Sequence, residues 1–139
     1  MNVTLLRTSF EALRPHAPAL VDRFYAILFE RYPQVKPLFA RTDLPKQKQM
    51  LVQALALLVA NLEKPDVLKS YLGMLGARHA GYGTQQAHYA AVGEFLLAAM
   101  AEIAGPLWTD DLEREWAATY GAVASLMQQG AAAAVGAPA

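Results

Sequence analysis

Proline and glycine cut this chain into pieces of helical length. Pro15 stops a first segment fitted to Thr4–Leu13, and Pro18 opens a second that runs to about Tyr32. Proline is tolerated in the first turn of a helix, where its missing N–H has no partner, but not in the interior. Pro33 and Pro37 frame a short helical turn ending at Phe39 and Ala40, and Arg41–Leu44 reads as polar loop. A third long segment spans Pro45–Leu62 with Asp43 as a cap, and Lys64-Pro65 breaks it. A fourth runs from Asp66 to Tyr82 and is ended by Gly81 and Gly83. The next covers Gln85–Ala104, capped by Thr84 and closed by Gly105-Pro106. The last begins at Thr109. Asp110, Asp111 and Glu113 in its first turns favour the positive end of the helix dipole. It is expected to end near Gln129, with Gly130–Ala139 as a frayed tail.

Composition supports helices over strands. The chain holds 27 Ala and 20 Leu against 9 Val, 2 Ile and 6 Thr. Ala and Leu keep side-chain freedom in a helix, whereas β-branched residues lose it. The expectation is an all-α domain of roughly seven helices, and their unequal lengths fit short helices around one pocket better than a four-helix bundle. Hydrophobic residues reach 55% and charged residues only 17%, an excess of apolar surface for a plain small bundle.

Several partners and chemistries are disfavoured. Twelve basic residues balance twelve acidic ones, which leaves no surplus to neutralise nucleic-acid phosphates. There is no Cys, hence no disulfide, thiolate metal site or cysteine nucleophile. Met1–Leu20 lacks a basic stretch followed by a long apolar run, so no signal peptide is expected and the location expected is cytoplasmic. An apolar run such as Ala54–Ala60 falls far short of the roughly 20 residues of a membrane span. No phosphate-cradling glycine loop and no zinc-ligand spacing occur.

The residues that could carry chemistry sit on inward stripes. His79 follows Leu68, Leu72 and Leu75 at helical spacing, so its imidazole belongs either to the core, bonded to a backbone carbonyl, or to a ligand. Gln47 lies on the stripe Gln47, Leu51, Ala54, Leu58, or else faces solvent among Lys46, Lys48 and Gln49. Tyr25 extends the stripe Val21, Phe24, Tyr25, Leu28, and Phe39 plugs a proline-rich corner. His16 reads as a loop residue and His88 as a surface or hinge residue. Gly73 and Gly76 within a helix cost stability unless a ligand or a crossing helix packs close to them.

Taken together, these stretches resemble the globins, specifically bacterial single-domain globins and the haem domain of flavohaemoglobins. Arg23 to Phe29 is similar to the second globin helix with its distal tyrosine, Tyr25. Pro37-Leu38-Phe39 is similar to the corner phenylalanine that wedges against the porphyrin. Gln47 to Leu51 is similar to the distal helix, with Gln in the distal-histidine place. Leu75 to His79 resembles the proximal-histidine motif, followed by Tyr89 and Val92-Gly93-Glu94. The resemblance covers the chain to about Gln129 and implies a globin domain over residues 1–129.

It further implies haem b (iron protoporphyrin IX), with His79 as the proximal iron ligand and Phe39, Leu51, Leu75, Val92 and Tyr89 around the group. Arg78 is placed either at a propionate or in solvent. With no His in Arg41–Leu62, the implied iron is five-coordinate, with an open sixth position. The implied function is reversible binding of dioxygen and other diatomics such as nitric oxide, stabilised by Tyr25 and Gln47. The alternative is nitric-oxide dioxygenation, in which Tyr25 and Gln47 hold the oxygen. That enzyme would need a separate reductase, since no reductase domain follows. One position departs from the flavohaemoglobin pattern: Ala131 stands where the family has a glutamate that supports the proximal imidazole. A carboxylate there raises imidazole basicity.

Overall fold

The computed structural model describes residues 1–81 and 83–136. Among them are six α-helices, three 3-10 segments and no strand: α1 (Val3–Leu13), α2 (Ala17–Arg31), α3 (Leu44–Ala60), α4 (Pro65–Gly81), α5 (Gln86–Ala104) and α6 (Asp110–Gly136). The remaining turns, Arg14–His16, Pro33–Phe39 and Gly105–Leu107, are the 3-10 segments, and each contains proline. The all-α expectation holds, with six helices and these turns in place of roughly seven.

Local chemistry sets the boundaries. The Asn2 side chain accepts from Leu5 N at 3.0 Å and starts α1. Tyr32 precedes Pro33, which disfavours helical backbone, and α2 stops at Arg31. Asp43 caps α3 by accepting from Lys46 N at 3.2 Å, as its residue type suggests. The Thr109 hydroxyl accepts from Leu112 N at 3.2 Å at the head of α6. Gly105, at φ 57°, turns the chain out of α5 in a conformation that side-chain-bearing residues avoid.

Two sequence expectations need correction. Thr84 does not cap α5. The N-cap is Gln85, whose backbone N–H donates to His88 Nδ1 at 2.9 Å while its side chain accepts from the His88 backbone, so His88 is a capping residue. The last helix does not end near Gln129 either; it continues through Gly136. The run of alanines has the highest helix propensity of any residue, and Gly130 lies against the backbone of Gly73, which holds this part of α6 in place. Tyr82 and Ala137–Ala139 fall outside the described residues.

The core lies between α1, α2, α5 and α6. Leu6, Ile27, Ala99 and Met100 are at most 1% exposed, and Phe10, Phe24, Phe95 and Trp116 surround them. Each large apolar side chain buried there contributes about 1.5–3 kcal/mol relative to exposure. The Trp116 indole N–H donates to Ser9 Oγ at 2.9 Å and ties α6 to α1. With its extension to Leu107, α5 has a mean hydropathy of 1.5 and is long and apolar enough to cross a membrane. In this fold it is a core helix: Phe95, Leu96, Leu97, Ala99 and Met100 are buried, and it packs against α2 and α6.

Candidate functional site

Tyr25 is fixed by aromatic rings. Its own ring meets Phe24 edge-on at 4.9 Å and Phe39 edge-on at 5.9 Å, and Phe29 completes the cluster at 5.3 Å from Phe39. Phe29 lies one turn beyond Tyr25 on α2, which is why the same face carries both. The Tyr25 hydroxyl lies within the influence of the Gln47 side chain of α3. Burial pushes the phenol above its ordinary pKa, and Gln47 pulls it part of the way back. At neutral pH Tyr25 is therefore an un-ionised phenol with a proton to donate.

A second contact joins α2 and α3. Lys48 Nζ lies 3.0 Å from Asp22 Oδ1. Asp22 stands one turn before Tyr25, and Lys48 adjoins Gln47. Sequence reasoning missed this pair, because neither charge shows its partner until the helices are placed. Gln47 itself is half-buried, and so is Leu51 one turn on.

The remaining candidates sit on α4 and α5. His79 is half-buried, and its Nδ1 lies 2.7 Å from the carbonyl oxygen of Leu75. The backbone contact that a core histidine would make is thus present, and it is equally the contact that orients a ligating imidazole. Leu75 and Val92 are half-buried apolar residues packed at the edge of the core, as are Phe39 and Leu51. Arg78 is exposed. Tyr89 is buried, and its carbonyl accepts the Tyr120 hydroxyl at 2.5 Å. Burial raises the pKa of both tyrosines, Tyr120 the more strongly.

Tyr120 was not singled out in the sequence. Its signal was Gly93 on α5, where a Cβ would lie 2.5 Å from the Tyr120 ring. The helical glycines of α4 also find their explanation. A Cβ on Gly76 would lie 1.8 Å from the carbonyl oxygen of Met127, so what packs against that surface is the crossing helix α6. Ala131 follows Gly130 on α6 and is half-buried.

The structure therefore brings Tyr25, Phe39 and Gln47 together, and places Leu75 and His79 together on another helix. A cavity of about 340 Å³ lined by Leu5, Leu13, Ile103 and Leu112 lies at the far end of α5, away from these residues.

Helical architecture and site point to one class, the globin fold, and comparison with known proteins agrees. The globin family model matches residues 22–127. The flavohemoprotein of Rhizobium meliloti (strain 1021) is 31% identical over 125 residues, covering 88% of this chain and 31% of that protein. The flavohemoprotein of Bordetella pertussis is 32% identical over the same shares. The chain thus spans about 31% of the length of these curated relatives. An engineered carbene transferase based on a protein assigned as a nitric oxide dioxygenase from Rhodothermus marinus superposes with a TM-score of 0.84 at 32% identity, covering 94% of this chain and 90% of that one. A bacterial globin from Campylobacter jejuni shares the fold, with a TM-score of 0.82 at 24% identity over 94% of each chain. The chain belongs to the globin family.

The family implies haem, and the donor set here fits one. An imidazole whose Nδ1 meets a backbone carbonyl is the type of ligand that haem iron takes. Four apolar side chains left half-exposed at the core edge (Phe39, Leu51, Leu75 and Val92) are what a flat apolar disc would cover.

Proposed function

We propose that this chain is a haem b protein that reversibly binds dioxygen and other diatomics, with His79 as the proximal iron ligand. Its globin domain is read as residues 1–129, with the last helix continuing beyond that to Gly136, and its setting as cytoplasmic. The observation that carries this reading is the buried Tyr25, with Gln47 acting on its hydroxyl and the Phe39 ring edge-on to its own. Phe39, Leu51, Leu75 and Val92 would wall the group, with Tyr89 behind them. Arg78, exposed on α4, is available to a propionate. Bound haem supplies a ferrous iron with one position open to a diatomic ligand.

The protein's part is orientation and hydrogen bonding. The Leu75 carbonyl, accepting from Nδ1–H, fixes the tautomer in which the ring lone pair is on Nε2. Gln47 offers an amide N–H that can donate to the Tyr25 oxygen, which would leave the phenol proton for a diatomic ligand. Donors to a ligand carrying negative charge contribute about 1.5–3 kcal/mol each. At about 1.4 kcal/mol per decade, one such bond slows release roughly ten- to a hundredfold.

The absorption spectrum of the ferrous protein, with and without oxygen, tests this reading. A Soret band of five-coordinate form that shifts reversibly with oxygen is expected. No Soret band after reconstitution with haem would overturn it, and so would a six-coordinate spectrum without added ligand.

The second reading is nitric-oxide dioxygenation, suggested by the Rhodothermus marinus relative at 32% identity. Tyr25 and Gln47 would hold oxygen for reaction with nitric oxide, and a separate reductase would return iron to the ferrous state. Sustained nitric-oxide consumption under turnover with an added reductase distinguishes it. A single stoichiometric reaction does not.

A further inference from the structure

We infer that Gly76 and Gly130 are positioning residues for the proximal imidazole, setting the seat of His79 through a backbone seam between α4 and α6. This rests on the haem reading above. The helix packing of α4 is against α6, whereas α2 packs on both α3 and α5. Among the described residues α6 is the main packing partner of α4, and two glycines set how closely the two helices approach. A Cβ on Gly76 would lie 1.8 Å from Met127 O, and a Cβ on Gly130 would lie 2.1 Å from Gly73 O. Both obstacles are backbone, which cannot swing aside as a flexible side chain does.

Gly76 lies between Leu75, whose carbonyl holds Nδ1, and His79 one turn later. Any widening at Gly76 moves acceptor and imidazole together. Gly130 acts on the same helix one turn further from the site, through Gly73. The backbone seam between α4 and α6 sets this registration.

The molecule contains its own control. A Cβ on Gly73 would meet nothing within 4 Å, although Gly73 sits on the same helix one turn before Gly76. Alanine has the higher helix propensity at all three positions, so propensity alone would stabilise all three variants alike. Steric demand separates them.

The experiment compares Gly73→Ala, Gly76→Ala and Gly130→Ala with wild type in three measurements. These are the melting temperature of the haem-free chain, the iron–histidine stretching band in the resonance Raman spectrum of the ferrous holoprotein, and the carbon monoxide association rate. Misplacement of about 1 Å costs up to about a hundredfold where geometry is tightly set. Gly76→Ala and Gly130→Ala are therefore expected to shift the band, change the association rate by about tenfold and lower the melting temperature. Gly73→Ala is expected to leave band and rate unchanged and to melt no lower than wild type. If Gly76→Ala fails to fold, Gly130→Ala carries the comparison near the end of α6. Haem uptake with identical bands in wild type and every folded variant overturns the seam alone. A wild-type chain that takes up no haem overturns the functional reading, and the positioning role with it.

Discussion

The two sides of the candidate site are built by opposite means. On the side of α2 and α3, side chains do the fixing: the rings of Phe24, Phe29 and Phe39 hold Tyr25, Gln47 acts on its hydroxyl, and Lys48 pairs with Asp22. On the side of α4, α5 and α6, the missing side chains matter: Gly76, Gly93 and Gly130 admit a neighbour where a methyl group would collide. The first construction fixes where a proton donor sits and what it can donate. The second fixes how near whole helices come. A chain can thus tune ligand chemistry on one side by exchanging polar groups while the other tolerates almost no change.

The largest expected effect breaks the first side without touching the second. Tyr25→Phe removes the donor and keeps the ring, so oxygen dissociation should accelerate roughly ten- to a hundredfold by stopped flow. The iron–histidine band should stay in place. A dissociation rate equal to wild type would remove Tyr25 from the ligand's surroundings.

The converse variant is Gly93→Ala. Its methyl group would press on the Tyr120 ring, whose hydroxyl is tied to the Tyr89 carbonyl. Overpacking of this kind costs about 1–3 kcal/mol. Urea unfolding should show that loss while oxygen dissociation stays near wild type. A change in dissociation without a change in stability would show the two sides to be coupled.

Alkali should weaken both sides together. Burial raises the pKa of Tyr25, Tyr89 and Tyr120 above the ordinary 10.0. The folded chain keeps protons that the unfolded chain gives up, so the stability they contribute is full below 10.0 and is lost as pH rises through the raised values. Urea midpoints followed from neutral pH through the tyrosine range should fall only in the alkaline part. The smallest effect belongs to neither side. Arg23 and Glu102 form an exposed pair in which the Arg23 guanidinium lowers the Glu102 carboxyl pKa. Arg23→Gln should leave melting temperature and ligand kinetics unchanged, as exposed pairs contribute little.

This contrast also explains what could be read in the sequence. Helix limits follow from proline, glycine and Asp43, because local backbone chemistry decides them. Tyr25, Phe39 and Gln47 come together in the structure, and their residue types had marked them as candidates. The partner of Gly76 could not be read, because a glycine announces that something is close but not what. Gln85 and His88 displaced Thr84 as the cap of α5 through a reciprocal bond that only their final geometry reveals. The end of α6 was misjudged because Ala131–Ala134 looks like filler until Gly130 is seen against Gly73.

The dependence of α4 on α6 also bears on synthesis. Chains emerge from the N-terminus at about 5–20 residues per second, and their parts fold as partners become available. By that order α2 and α3 can associate early, as neighbours along the chain. α4 emerges with its docking surface still unmade and waits for the whole of α5 and much of α6. His79 thus reaches its place late, after the side built from α2 and α3 has had time to form, and on the proposed reading any haem held through that residue would be captured only once the last helix is present.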